Sequence, residues 1–220
     1  LKFSGKTNSG LSVGILDAIT AKENAKYRDS TNTDTFQAVE PFANSLVLRL
    51  KQDLKDGKII FGGFLTNKQQ VLNTNYLRSS FVSKANVMGV DFEYALPDPA
   101  WVVSGYTATS TLLGTEKIVS EIQRNSAHYF QRPDDKIALD TTKTQLDGTS
   151  SELSLTKISG KNIKGSFTYR QISPGYDINE LGYIRSANTK QLKSYIEYED
   201  FVPKKYWQLL SFSFGSWHDR

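Results

Sequence analysis

The segment IKGSFTYR, residues 163–170, decides the fold class, because apolar and polar side chains alternate along it. Successive side chains of an extended chain point to opposite faces. One face carries Ile163, Phe167 and Tyr169, and the other carries Lys164, Ser166, Thr168 and Arg170. A period of two predicts a β-strand with one apolar face and one polar face.

Three further segments repeat this alternation. Their apolar positions are Leu46, Leu48 and Leu50 in the first, Met88, Val90, Phe92 and Tyr94 in the second, and Leu210, Phe212 and Phe214 in the third. The residues between them are mostly polar or small. The chain is 38% hydrophobic yet 12% aromatic, with a mean hydropathy of -0.44. This combination is typical of strands that have a single apolar face.

Clusters of Gly, Asn, Asp and Pro mark the connections between strands. The short clusters lie at residues 8–10, 53–57, 97–99, 159–162 and 200–205. Longer polar stretches lie at 21–40, 67–80, 114–149 and 171–187, and they alternate with the short ones. Short turns at one end and long loops at the other are typical of an up-and-down barrel in an outer membrane.

These connections predict ten strands, most of which reach the roughly 9 to 11 residues that a tilted strand needs to cross a bilayer. The predicted strands cover residues 1–7, 11–20, 41–52, 58–66, 81–96, 101–112, 150–158, 163–170, 188–199 and 206–217. We therefore predict an all-β fold, an antiparallel up-and-down transmembrane β-barrel with one domain over residues 1–220. We expect it to be part of a larger barrel, incomplete at both ends.

The alternative is a soluble secreted β-sandwich that binds a ligand, in which the apolar faces would cover a core. Aromatic residues beside the short turns favour the membrane, because such rings settle at headgroup depth. They are Tyr94, Trp101, Phe201, Tyr206 and Trp207. No apolar run reaches the roughly 18 residues of a membrane helix. The chain has no cysteine, and its net charge of +4 is spread too evenly to indicate a nucleic-acid site.

One segment departs from the β pattern, since Ile118, Val119, Ile122 and Tyr129 recur at helical spacing. Thr115 is placed to cap this helix. The helix either folds over or into the barrel mouth as a constriction or lies on the surface without a role.

Charged residues on the polar face are the main candidates for function, because charges in a wet lumen filter solutes by electrostatics. The predicted lumen-lining residues are Arg49, Lys51, Asp91, Glu93, Lys164 and Arg170. Their mixed signs indicate weak selectivity. Alternatively, they pair across strands and rigidify the interior.

Catalysis is not expected, and neither is a cofactor or a metal. His128 and His218 have no metal-ligand spacing to other ligands, and a surface or packed role is favoured for both. A hydrolase built from His218 with Ser211, Ser213 or Ser216 is only a formal alternative. Asp177, Asn179 and Glu180 offer oxygen ligands for a hard cation, but an ordinary polar loop is favoured.

Four motifs resemble those of one family, in the same order along the chain. They are GILDAITAKE at 14–23, EPFAN at 40–44, YFQRPD at 129–134 and SPGYDINELGY at 173–183. The family consists of outer-membrane proteins with an N-terminal domain related to carbohydrate-binding module family 9, followed by a barrel domain of unknown function. The loop-motif candidates are Arg132, Asp134, Asp177, Asn179 and Glu180.

The resemblance implies a barrel in the outer membrane of a Gram-negative bacterium and a glycan-binding domain upstream, and it brings no catalytic residues. We therefore expect a porin-like or glycan-handling protein with a role in transport or surface binding. Its expected partners are outer-membrane lipid, glycans bound through the upstream domain, and other outer-membrane proteins, but not nucleic acid.

Overall fold

The computed structural model describes residues 1–98, 100–133, 137–160 and 162–219. The strands are β1 (Lys2–Lys6), β2 (Leu11–Thr20), β3 (Glu23–Arg28), β4 (Asp34–Glu40), β5 (Phe42–Leu54), β6 (Ile59–Val71), β7 (Lys84–Ala95), β8 (Trp101–Leu113), β9 (Gln145–Lys157), β10 (Ile163–Ile172), β11 (Thr189–Asp200) and β12 (Leu210–Asp219). The helices are α1 (Asn75–Ser80) and α2 (Glu116–Arg124).

Ten strands form one antiparallel sheet in the order β1-β2-β5-β6-β7-β8-β9-β10-β11-β12, and β3 and β4 form a separate hairpin. The prediction of an all-β fold with ten antiparallel strands is therefore confirmed. Because neighbouring strands are antiparallel, the short connections all lie at one end of the sheet and the long ones at the other. We call these the short-turn end and the loop end.

The predicted long stretches contain more regular structure than expected. The hairpin β3–β4 lies in the first of them, and α1 lies in the second. The prediction that β6 ends near residue 66 was wrong, since it continues to Val71, and β9 begins at Gln145 rather than at 150. Each extension is mostly polar and contains a single large apolar residue, Val71 in β6 and Leu146 in β9, so neither shows the alternation by which strands are recognised. Their backbones nevertheless pair with the neighbouring strands.

The sheet is open in the part of the chain that the structure describes. β1 pairs with β2 alone, and β12 pairs with β11 alone. The all-β antiparallel sheet is as predicted, but an open sheet does not confirm the predicted barrel, which was expected to be incomplete at both ends. A sandwich would divide the strands between two packed sheets, whereas ten of the twelve strands here share one sheet.

Strand register divides the sheet into two faces of opposite character. We call the face with Leu48 the outer face and the face with Arg49 the inner face. Several large apolar residues of the outer face keep at least half of their surface exposed. They are Phe61, Met88, Val90, Leu153, Phe167, Ile196, Phe212 and Phe214.

The buried core lies on the inner face at the loop end. One cluster joins Ala85, Leu112 and Leu146 of the sheet to Val119 of α2 and to Phe130 beyond it. The second joins Ala108 and Ile172 to residues of the β10–β11 loop, which are Tyr176, Ile184 and Ala187. The β8–β9 loop, which contains α2, and the β10–β11 loop therefore fold inward over the sheet.

The predicted helix is present as α2, and it is shorter than its periodic pattern. The hydroxyl of Thr115 accepts a hydrogen bond from the backbone N–H of Ile118, as the capping prediction required. Val119 and Gln123 are buried, so the helix packs against the inner face of the sheet instead of lying free on the surface. Within the described residues, neither helix has the length and the apolar character needed to span a membrane.

Candidate functional site

The candidate site is the inner face of the sheet together with the two segments that cover its loop end. We call these segments, residues 116–130 and 173–188, the loop cluster. The polar part of the inner face supplies charged side chains, and the loop cluster supplies the buried polar contacts. The polar part of the inner face and the loop cluster each bring together residues that are far apart in the chain.

An ion pair between Arg49 of β5 and Asp91 of β7 crosses the inner face. The guanidinium donates two hydrogen bonds to the carboxylate, one of them 2.9 Å from Nη2 to Oδ1. The pair passes over Gly62 of the intervening strand β6. A Cβ at that position would lie 2.6 Å from both charged groups, so the missing side chain makes room for the pair.

All six predicted lumen-lining residues lie on the inner face. Strand register connects Lys51, Asp91 and Arg170 in one row across the sheet, through Gly62, Tyr106 and Glu152. Glu93 and Lys164 share this face by their register positions. The alternative of cross-strand pairing holds for Arg49 with Asp91, and for Lys164, whose Nζ lies 2.8 Å from Glu199.

Arg170 is less tightly paired than these residues. Its Nε lies 3.9 Å from a carboxylate oxygen of Glu152, which is an ion-pair distance but longer than a hydrogen bond. The charges of the inner face therefore differ in how far they are neutralised.

A buried contact between His128 and Asp177 joins the two halves of the loop cluster. The Nε2 atom of His128 lies 2.7 Å from Oδ2 of Asp177, and its Nδ1 lies 2.8 Å from the carbonyl oxygen of Pro174. The two side chains are 0% and 5% exposed, respectively. His128 is therefore a packed residue, as favoured from the sequence, but its partner was not predicted.

The hydrogen bonds at this buried contact favour the ionised form of Asp177. The carbonyl oxygen of Pro174 only accepts hydrogen bonds, so Nδ1 of His128 donates to it, and Nε2 faces the carboxylate of Asp177. Burial acts to raise the pKa of Asp177, but hydrogen bonds from His128 and from Asn179 outweigh it and leave this pKa below its ordinary value.

The β10–β11 loop is fixed to the sheet by further polar contacts. The backbone N–H of Asp177 donates to the hydroxyl of Ser110 at 2.9 Å, and Lys68 Nζ lies 2.7 Å from Glu180 Oε2. Thr149 and Ser173 exchange two hydrogen bonds, from the N–H of Thr149 to the Ser173 hydroxyl and from the N–H of Ser173 to the Thr149 carbonyl. These contacts hold the loop on β6, β8 and β9.

Gly148 lets this loop approach the sheet. A Cβ on Gly148 would lie 2.0 Å from the backbone nitrogen of Tyr176, and a Cβ on Gly175 would lie 2.2 Å from the carbonyl oxygen of Asp147. Two glycines thus meet where the loop backbone crosses β9. A larger residue at either position would displace the backbone, since no flexible side chain is there to move.

The whole chain, residues 1–220, matches the family described as a domain of unknown function, DUF5916. The chain belongs to this family. No curated protein and no solved structure matches it. The match confirms the expectation that the chain is a domain of unknown function.

Within this DUF5916 domain, the loop-motif candidates have separate structural roles. Asp177 binds His128, Asn179 supports Asp177 through its backbone N–H at 2.7 Å, and Glu180 pairs with Lys68. Arg132 is half-buried in the segment after α2, and Asp134 lies outside the described residues. In the described part of the chain, no group of three or more His, Asp or Glu side chains is arranged to hold a metal ion.

The formal hydrolase arrangement is not formed in the DUF5916 domain. His218 of β12 lies on the outer face, whereas Ser211 and Ser213 lie on the inner face. Ser216 shares the face of His218, but its hydroxyl lies 2.8 Å from that of Ser194.

Our first prediction is that Asp177→Asn lowers the free energy of unfolding by about 1.5 to 3 kcal/mol at neutral pH, because it removes a charge-assisted hydrogen bond. The lowered pKa of Asp177 means that its contribution is present above the ordinary Asp pKa and is lost as the pH falls through the folded pKa. Unfolding measured from pH 7 to pH 3 should therefore show the difference from wild type shrinking below about pH 4. A constant difference would contradict an Asp177 carboxylate that is held ionised by this contact.

Our second prediction is that Gly148→Ala destabilises the fold by about 1 to 3 kcal/mol and exposes residues 173–188 to protease, because the new Cβ meets loop backbone. Gly63→Ala is the matched control, since a Cβ there would have its nearest contact at 3.7 Å. Chemical unfolding and limited proteolysis of both variants check this prediction. Equal behaviour of the two variants would show that the loop does not press on β9.

Proposed function

We propose that this chain forms part of the wall of a β-barrel in the outer membrane of a Gram-negative bacterium, where it serves transport or surface binding. In this proposal, lipid chains contact the outer face and the polar inner face borders a porin-like passage. The observation that carries the proposal is a continuous apolar band on the outer face that nothing in the described residues covers.

The outer face of β7 changes from apolar to polar along the strand, as the proposal expects. Its outer positions are apolar or aromatic from Met88 to Tyr94, and they become polar at Asn86 and Lys84 toward the loop end. Met88 to Tyr94 spans six steps of about 3.3 Å, or about 20 Å along the strand. A barrel strand tilts by about 35 to 45°, so this segment covers about 15 Å of the roughly 25 Å apolar band of an outer-membrane barrel. The polar outer positions beyond it would extend the strands out of the bilayer.

Aromatic residues at the short-turn boundary of this band suit a lipid headgroup region. Tyr94, Trp101 and Tyr198 lie on the outer face near the short-turn end. Lys157 Nζ lies 5.6 Å from the centre of the Trp101 ring. Rings with a polar edge beside a cationic side chain are typical of the membrane interface.

The inner face supports a wet interior that the loop cluster narrows. Its middle carries charged and hydroxyl-bearing residues, among them Arg49, Asp91 and Thr168. At the loop end the same face is covered by α2 and by the β10–β11 loop. A porin-like passage along this face would therefore be restricted at its outer mouth, and its mixed charges would give weak ion selectivity.

The proposal has one structural requirement, which is that the free edges of β1 and β12 become paired in the membrane. Unsatisfied backbone groups are costly in hydrocarbon, so an open sheet edge does not persist there. The two edges would pair with each other or with further strands. A glycan-handling role would act through an upstream carbohydrate-binding domain of the kind that the family resemblance implies.

Our third prediction concerns the two faces of β12. Phe214→Arg should lower the free energy of unfolding in lipid vesicles by about 2 to 4 kcal/mol, because Phe214 lies opposite Ile196, farther from the boundary at Tyr198, and the change places a guanidinium in hydrocarbon. Ser213→Arg is the matched control, because Ser213 faces the inner side opposite Glu197 and should tolerate the change. Folding yield and unfolding free energy in vesicles measure both effects.

A soluble protein with a packed core would also be harmed by Phe214→Arg, so a second variant separates the cases. Leu48→Trp should be nearly neutral against lipid, which adapts to shape, but it would cost about 1 to 3 kcal/mol in a packed core. Strong destabilisation by Leu48→Trp in a water-soluble, detergent-free preparation would refute the membrane proposal.

Our fourth prediction concerns sidedness. A peptide tag at Asn32, in the β3–β4 turn at the loop end, should be labelled by antibody on intact cells. A tag at Gly57, in the β5–β6 turn at the short-turn end, should be labelled only after the outer membrane is opened. Equal labelling of both tags on intact cells would contradict the proposed orientation.

A further inference from the structure

A cleft on the inner face has the properties of a ligand site. It lies between the β10–β11 loop and the ends of β10, β11 and β12, and its volume is about 420 Å³. Its walls include Arg170, Arg185, Thr189, Gln191, Tyr183 and Trp217. It is separate from the buried contact of His128 with Asp177 and from the ion pair of Arg49 with Asp91.

Two buried polar atoms in the walls of this cleft have no hydrogen-bond partner within the described structure. They are Nε of Arg170 and Oγ1 of Thr189. Thr189 is only 9% exposed. Buried polar groups are nearly always paired, so two unpaired atoms beside one cleft indicate that a ligand supplies the missing contacts.

The charged groups of the cleft favour an anion. Arg170 and Arg185 contribute two guanidinium groups, and Lys193 beside Trp217 adds an ammonium group. Asp219 contributes one carboxylate, which accepts a hydrogen bond from Gln191 at 3.2 Å. The carboxylate of Glu152 lies 3.9 Å from Nε of Arg170, so cations exceed anions by one. The side chain of Arg170 is 39% exposed although its Nε is buried, so other parts of the side chain remain accessible. Guanidinium groups bind carboxylates and phosphates with paired hydrogen bonds.

Aromatic rings form another part of the cleft. Trp217 is 68% exposed and Tyr183 is 79% exposed, and Lys193 Nζ lies 5.0 Å from the centre of the Trp217 ring. Exposed aromatic rings stack on flat or apolar rings of ligands. The combination of guanidinium groups and aromatic rings fits a ligand that carries both an anionic group and a ring.

We propose that this cleft binds a small organic anion in which a ring adjoins a carboxylate or a phosphate. The anionic group accepts hydrogen bonds from Arg170, Arg185 and the hydroxyl of Thr189, and the ring packs on Trp217. The cleft opens on the inner face, away from the apolar outer face, so a solute reaches it and a bilayer lipid does not. This binding proposal does not depend on the membrane assignment.

The test is a calorimetric titration of the folded chain, in detergent micelles if it needs them, with phenyl phosphate and with benzoate. At least one should bind more tightly than benzyl alcohol, which has the ring without the charge, and phenyl phosphate should bind more tightly than inorganic phosphate, which lacks the ring. Arg185→Gln should weaken that binding about tenfold, the loss expected for one charge-assisted hydrogen bond.

Two variants keep the interpretation specific. Thr189→Val should weaken binding without lowering the unfolding temperature, because its hydroxyl has no partner to lose in the free protein. Lys164 lies on β10 and on the inner face, as Arg170 does, but outside the cleft. Lys164→Gln removes this cation, and it should leave the binding of the anion unchanged. The proposal is overturned if neither anion binds at millimolar concentration, if benzyl alcohol binds equally well, if inorganic phosphate matches phenyl phosphate, or if Lys164→Gln weakens binding as much as Arg185→Gln.

Discussion

Strand register is the constraint on which both faces of the sheet depend. Because side chains alternate, a slip of one residue would turn every outer side chain of a strand to the inner face. In β10 such a slip would exchange Phe167 with Thr168 and Tyr169 with Arg170. Polar pairs oppose the slip, since Arg49 and Asp91 fix β5 against β7, and the hydroxyls of Ser154 and Thr168 meet at 2.8 Å between β9 and β10.

The loop cluster changes what the inner face can do at its loop end. Hydrophobic contacts of α2 and the β10–β11 loop cover small residues of the sheet, and buried polar groups among them find partners. The amide of Gln123, for example, donates to the Asp140 carbonyl at 2.8 Å and accepts from the Asp140 N–H at 3.0 Å. A loop held by such paired groups is rigid, because loosening it would expose buried donors and acceptors to an apolar surrounding. The passage that we propose is therefore narrowed by fixed structure.

The sequence predicts the strands well and the loop cluster poorly, for a physical reason. Alternation is a local property, so the neighbouring residues in the sequence are enough to assign Phe167 to one face and Arg170 to the other. The contacts of the loop cluster join residues 49 positions apart in His128 and Asp177, and 112 positions apart in Lys68 and Glu180. No local pattern encodes such pairs. The hairpin β3–β4 could have been predicted from one residue of the sequence, Asp29. Its side chain accepts hydrogen bonds from the N–H groups of Thr31 and Thr33, as aspartate side chains commonly do in turns.

Under our proposals, the cleft at Arg170 adds the binding of a solute to the role of the sheet as a wall. A charge paired as fully as Arg49 has its hydrogen bonds committed within the sheet, so it rigidifies the wall and attracts solutes weakly. Arg170 lacks such a bond at Nε, and it lies where the loop cluster leaves space against the sheet. Under our proposals, the same inward folding of the loops that narrows the passage also forms one wall of the cleft, through Tyr183 and Arg185. The β10–β11 loop would then both restrict the passage and help to bind the solute. A solute that fits the cleft would therefore meet the cleft at the narrowest part of the passage.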